Sequence, residues 1–171
     1  MKLDSWQANR EKIIKLDKWK LKGRIALSME RQAWSASLQW VQERQNYQLR
    51  IIAPLGQGSI ELEGDGHGVT MQVSKDEVLH ANTPESLLRK SFGWSVPVSG
   101  LMYWIRGIPA PDKRIKKLYL DDKGRVSEME QSGWLVTYSG YYSQGSVDLP
   151  RKIVMENGGL KLRLVIRNWV I

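Results

Sequence analysis

Most of the chain consists of short runs in which apolar and polar residues alternate, the pattern of strands with one buried and one wet face. The cleanest run is near the end. Leu160, Leu162, Leu164 and Ile166 alternate with Lys161, Arg163, Val165 and Arg167, and Trp169 closes it. Near the start, Trp19, Leu21, Ile25, Leu27 and Met29 lie opposite Lys18, Lys20, Lys22, Arg24 and Ser28. Gly23 interrupts that run and predicts a bend or bulge. Similar alternation recurs over residues 34–40, 47–53, 59–63, 69–74 and 78–81, and again over 118–120, 126–131, 134–139 and 153–156. Turn residues separate the runs: the Pro54 to Gly58 stretch, Asp65-Gly66-His67-Gly68, Asp122-Lys123-Gly124 and the hairpin pair Asn157-Gly158.

Three stretches read as helix. Over residues 4–17, Asp4 is placed to cap, and Trp6 and Ile13 stand two turns apart. Thr83-Pro84-Glu85 combines a capping hydroxyl, a proline at the first position and an acid in the first turn, and Gly93 predicts the stop. A second short helix follows Pro97; Leu101, Met102, Trp104 and Ile105 leave it little polar surface, and Gly107 ends it. Residues 108–111 form a stiff, proline-containing connector. About ten or eleven strands joined by short turns must pair antiparallel, and a sheet that wide curls. The predicted fold is mainly β: a single curled antiparallel sheet forming an incomplete, half-open barrel, covered by a few α-helices, with an apolar cavity, in one domain over residues 1–171.

The turn after residue 53 carries a misfit. Pro54 ends a strand, Gly56 and Gly58 supply the bend, and Leu55 sits where turns normally carry polar residues. Leu55 either folds inward as a plug or points outward toward something apolar.

Composition narrows the function classes. With 42% hydrophobic and 26% charged residues the chain is globular. No run approaches the ~20 apolar residues of a membrane-spanning helix, and residues 1–5 lack the apolar core of a leader. The absence of cysteine removes disulfides, thiolate metal sites and thiol nucleophiles. The net charge of +8 attracts nucleic acid, anionic membranes or acidic partners. Its bases alternate with apolar residues on strands, as on an ordinary solvated face. The tryptophans lie opposite the lysines, which argues against stacking on nucleic acid. His67 in a glycine turn and His80 at a strand end carry no metal-ligand spacing, and Asp121-Asp122 reads as turn chemistry. No nucleophile elbow, phosphate loop or zinc-helix motif is present. Neither an enzyme nor a cofactor is expected.

Several segments together resemble the outer-membrane lipoprotein receptor LolB family. They are Trp34…Leu38-Gln39-Trp40; Pro54-Leu55-Gly56 with Ile60-Glu61-Leu62; Leu87-Leu88…Gly93…Val96-Pro97-Val98; Leu101-x-x-Trp104-Ile105-x-Gly107-Ile108-Pro109; Gln131-x-Gly133-Trp134-x-x-x-Tyr138; Leu149-Pro150; and Asn168-Trp169. They run in order along nearly the whole chain. The resemblance implies a half-open barrel covered by helices. It implies receipt of lipoproteins from the periplasmic carrier LolA, with the acyl chains sheltered in the cavity and then passed into outer-membrane phospholipid. It also implies that Leu55, flanked by Pro54 and Gly56, protrudes and serves membrane insertion. The family's lipid-bearing cysteine has no counterpart here, so the expectation is a protein at the periplasmic face of the outer membrane whose anchoring segment lies outside these residues.

The side chains expected to line an acyl-chain cavity are Trp34, Leu38, Trp40, Leu49, Ile51, Leu62, Leu101, Ile105, Trp134, Tyr138 and Leu162. Alternation assigns them a face but leaves open whether that face encloses a hollow or a filled core. Basic strands near the opening are expected to speed encounter with an acidic carrier. The competing reading is a lipocalin-like carrier of a soluble hydrophobic ligand.

Overall fold

A computed structural model describes residues 1–54, 58–93 and 95–171. The chain runs α1 (Lys2–Ile14), β1 (Lys18–Met29), β2 (Gln32–Glu43), β3 (Asn46–Ile52), β4 (Ser59–Gly64), β5 (Val69–Ser74), β6 (Glu77–Ala81), α2 (Pro84–Phe92), α3 (Val98–Trp104), β7 (Ile115–Leu120), β8 (Val126–Gln131), β9 (Trp134–Tyr138), β10 (Tyr141–Gln144), β11 (Val147–Pro150), β12 (Lys152–Asn157) and β13 (Leu160–Val170).

The predicted curled antiparallel sheet is present. Eleven strands pair in the order β6-β5-β4-β3-β2-β1-β13-β12-β9-β8-β7. Two meanders are joined where β13 returns beside β1. The edges are β6 and β7, so the segment between them must cross from one edge of the sheet to the other. That segment carries α2 and α3. Topology requires the crossing, and packing decides its side: the apolar side chains of α3 settle against the concave face, where Leu101, Trp104 and Ile105 are buried, so the helices cover the open side of the incomplete barrel.

The bulge predicted at Gly23 occurs, with the β1–β13 register shifting between Lys22 and Gly23. Its consequence lies on β13. Even-numbered residues from Leu160 to Ile166 face inward, Arg167 and Asn168 both face solvent, and the odd-numbered Trp169 faces inward again. A Cβ on Gly23 would run into the Val165 carbonyl oxygen, so the bulged strand approaches too closely for any other residue.

Helix ends follow their local chemistry with one correction. Thr83 Oγ1 accepts from Ser86 N at 3.2 Å, Pro84 opens α2, and Gly93 closes it at φ 72°. Asp4, expected as a cap, lies within the first turn of α1, which starts at Lys2. The helix also ends at Ile14, short of residue 17, because Asp17 is already drawn into the sheet: its carbonyl accepts from Arg44 N at 2.6 Å. Residues 141–150 form a separate two-stranded hairpin, β10–β11, outside the main sheet. It buries Val147 and Leu149 and is tied to α1 through Asp148 N donating to Asn9 Oδ1 at 3.2 Å.

Candidate functional site

The inner face of the sheet is built from the side chains that alternation assigned to it. Leu38, Trp40, Leu49, Leu62, Trp134, Tyr138 and Leu162 are buried in one continuous apolar cluster, together with Leu101 and Ile105 from the crossing segment. Trp34 and Ile51 are half-buried and pack against the same cluster. The centre of the concave face is thus occupied by these side chains. A row of rings runs along it: Trp19 lies 5.3 Å from Trp40 and 5.6 Å from Trp169, centroid to centroid.

A cavity of about 660 Å³ opens toward one end, between the inner face and the two lid helices. Trp40 and Gln42 of β2 and Tyr47 of β3 form its sheet side, and Pro84, Pro97, Val98 and Met102 form its helical side. Among the residues predicted to line a hollow, Trp40 borders this cavity. Trp134 borders a smaller one of about 280 Å³ beside Gly93 and Ser95.

The charged groups at the larger cavity are Asp65, Glu85 and Lys113. Asp65 accepts from His67 N at 2.7 Å and Gly68 N at 3.0 Å, which holds its carboxyl below the usual range. Glu85 accepts from Ser99 N at 2.9 Å and Ser99 Oγ at 2.6 Å, tying α2 to α3. Burial pushes the Tyr47 phenol up to about 12, and the negative charges of Glu85 and Asp65 add to it. The Tyr47 ring lies over Gly64, its direct cross-strand partner, where a Cβ would collide with it. This corrects the expectation of a basic opening. The lysines and arginines of β1 and β13 project from the opposite face, and two of the three charges at the cavity are acidic.

Buried polar side chains fix the lid, and alternation did not single them out. Gln131 Oε1 accepts from Trp104 Nε1 at 2.7 Å and Ala110 N at 2.8 Å. Its Nε2 donates to the Ala110 and Lys113 carbonyls, both at 2.9 Å. Tyr138 donates its hydroxyl to the Trp104 carbonyl, so the C-terminal end of α3 is bonded to the sheet through two side chains, Gln131 and Tyr138. Arg106 is buried without a carboxylate in ion-pair range among the described residues. Its Nη1 donates to the Ile13 carbonyl at 3.1 Å, its Nε to the Met102 carbonyl at 3.1 Å, and its guanidinium lies over Trp19 and Tyr103. Burial pushes its pKa down to about 10, against the opposing effect of Tyr103. The legible signal for Gln42 and Gln131 was a glutamine in the inward register of a strand, shared with Trp40 and Met129 respectively. Nothing in the pattern marked Arg106.

The turn that carries Leu55 is closed by Ala53 N donating to the Gly58 carbonyl at 3.0 Å, between the ends of β3 and β4. Pro54 is exposed. Leu55 and Gly56 lie outside the described residues. Among the described residues, no group of His, Cys, Asp or Glu is placed to hold a metal, and no helix is long and apolar enough to cross a membrane.

Comparison with known proteins agrees with this architecture. The family model "Outer membrane lipoprotein LolB" matches residues 17–169. A protein of Nitrosococcus oceani named outer-membrane lipoprotein LolB is 39% identical over 165 residues, covering 96% of this chain and 82% of its own length. A Pseudomonas putida protein of the same name is 36% identical over 164 residues, covering 96% of this chain and 80% of its own length. Among solved structures, a LolA superfamily protein from Nitrosomonas europaea superposes with a TM-score of 0.61 at 9% identity, over 98% of this chain and 92% of that one. A putative outer membrane lipoprotein-sorting protein domain from Vibrio parahaemolyticus gives 0.61 at 10%, over 98% and 91%. At such identities these two establish a shared fold. The sequence matches go further, and the chain belongs to the LolB family of outer membrane lipoproteins.

Proposed function

We propose that this protein acts in outer-membrane lipoprotein localisation as an acceptor. It takes a lipoprotein from the periplasmic carrier LolA, shelters the acyl chains between the inner face of the sheet and α2–α3, and releases them into outer-membrane phospholipid. The observation that carries this reading is the cavity of about 660 Å³ beneath the lid, walled by Trp40, Tyr47, Val98 and Met102. Its volume lies within the roughly 300–1,000 Å³ of ligand pockets.

The physics of the cargo dictates the route. Each buried CH₂ is worth about 0.8 kcal/mol, so one long acyl chain represents roughly 10 kcal/mol. Release of that chain into water is too slow to be useful, and hand-over runs from shelter to shelter. Direction needs only a difference in affinity, tenfold for about 1.4 kcal/mol. Bulkier cargo enters by displacement of the lid at its weaker end. The end of α3 is held by Gln131, Tyr138 and Arg106, whereas α2 is tied to α3 through the exposed Glu85–Ser99 bonds. The α2 side moves and the α3 terminus acts as the hinge. Core residues such as Leu38, Leu49, Leu62, Leu101, Ile105 and Leu162 then become the floor uncovered by that motion.

In this mechanism Leu55, with Pro54 and Gly56, enters the bilayer. One leucine contributes about 1.5–3 kcal/mol, which steers a protein already held near the membrane but does not anchor it. The test is transfer of a lipoprotein from the loaded carrier to phospholipid vesicles by the Leu55→Glu variant. The expected result is cargo bound by the variant and retained in the soluble fraction. Normal delivery to vesicles refutes the role of the turn. Failure of the unaltered protein to take cargo, with uptake of a soluble hydrophobic ligand instead, refutes the acceptor reading.

A further inference from the structure

The outer face of the central strands has a charge distribution that the cavity does not use. Across β1, β13 and β12, Arg24 pairs with Val165 and Val165 with Lys152; Arg163 pairs with Ala26 on one side and Val154 on the other; Lys22 faces Asn168 and Gln39; Lys20 faces Val170 and Val41. Each cation is therefore set among small, apolar or neutral neighbours, with no like charge directly opposite. Acids stand only at the two ends of this stretch. Glu43 holds Lys18 at 3.4 Å, and Glu156 holds Lys161 at 3.4 Å. Between them Lys20, Lys22, Arg24, Lys152, Arg163 and Arg167 have no carboxylate in ion-pair range among the described residues.

Strands are spaced about 4.8 Å apart, so cations on adjacent or alternate strands lie within roughly one Debye length and their fields add. The apolar members of the checkerboard are themselves open to solvent: Val41 is 38%, Val165 40% and Val170 52% exposed. Lys20 and Lys22 border a shallow hollow of about 260 Å³ with Val41, Asn168 and Val170. Among the described residues this face carries no tryptophan; Trp19, Trp40 and Trp169 all point to the other side. The cores of specific protein interfaces are enriched in buried aromatic anchors, which this face lacks among the described residues. Long flexible cations spread over a low-relief surface, with short apolar side chains between them, suit a diffuse layer of phosphates instead.

We propose that the outer face of β1, β13 and β12 docks on the anionic headgroups of a phospholipid bilayer. This inference does not rest on lipoprotein hand-over, because it concerns the protein alone and vesicles free of cargo.

The experiment is sedimentation of the protein with vesicles of phosphatidylcholine alone or with about a third phosphatidylglycerol, at low and at high salt. Binding is expected to the anionic vesicles only and to disappear at high salt. Each cation near an anionic surface is worth about 1 kcal/mol, roughly fivefold, so the triple variant Lys22→Gln, Arg24→Gln, Arg163→Gln should bind on the order of a hundredfold more weakly. A control with the same net charge, Lys75→Gln, Lys90→Gln, Lys123→Gln, removes exposed cations elsewhere and should keep most of the affinity. All six positions are at the surface, and near-ultraviolet circular dichroism checks that both variants fold. Equal losses in the two variants, or equal binding to neutral vesicles, overturn the proposal. So does retention of a soluble acidic polypeptide by this face without preference for vesicles, which would assign it to an acidic protein.

Discussion

Replacing Gln131 by leucine tests whether the lid's hinge is held as described. The side chain is fully buried and makes four hydrogen bonds, to Trp104 Nε1, the Ala110 amide and the Ala110 and Lys113 carbonyls, at 2.7–2.9 Å. Leucine is similar in volume, so no large cavity forms. The cost is polar. Two donors, the indole N–H and the Ala110 N–H, lose their acceptor in a site with no water access, at roughly 1–3 kcal/mol each. The apolar gain of leucine offsets about 1 kcal/mol. A net loss of about 1–5 kcal/mol follows, or about 2–20 °C in Tm for a chain of this size. Urea unfolding should show a lower midpoint with an unchanged slope. A double-mutant cycle with Trp104→Phe isolates one bond: once the indole N–H is gone, the leucine should cost about 1–3 kcal/mol less. Hydrogen exchange at the Ala110 amide should quicken in the Gln131→Leu protein. A loss below about 1 kcal/mol, or a coupling indistinguishable from zero, would refute the reasoning and place the hinge elsewhere.

Two further outcomes follow from the geometry. The Tyr47 phenol, raised in the folded protein from 10.0 to about 12, keeps its proton longer than in the unfolded chain. Its stabilising contribution is complete below pH 10 and is lost as pH rises toward 12, so Tyr47→Phe should flatten stability across that window, and Glu85→Gln should move the Tyr47 transition in ultraviolet titration downward; an unshifted transition would remove Glu85 from the cavity mouth. Gly23→Ala places a methyl group against the Val165 carbonyl oxygen, a backbone atom that cannot yield cheaply. About 2–3 kcal/mol should be lost on denaturation, with Trp169 fluorescence altered as the bulge shifts, and a neutral substitution would show that the strands are not in this register.

Local sequence determined the strands, their faces and their turns, because each is settled by neighbours two residues away or by a single special backbone angle. The alternation of β13, the capping of α2 by Thr83 and Gly93, and the Asn157-Gly158 hairpin, with Gly158 at φ 59°, all reappear as written. Tertiary structure decided what depends on which elements meet. Alternation gives one side of a strand but not the distance to whatever covers it. It therefore could not tell that Leu38 and Leu162 would be packed against other side chains while Trp40 borders open volume. It could not separate β10–β11 from the sheet, since that hairpin is positioned by α1 from the far end of the chain. Nor could it mark Arg106, whose carbonyl partner Ile13 lies 93 residues away. The inward turn of Trp169 needed the bulge at Gly23, a register fact that exists only between two paired strands. Periodicity is a property of one strand, whereas an enclosed volume and a satisfied buried charge are properties of several elements at once.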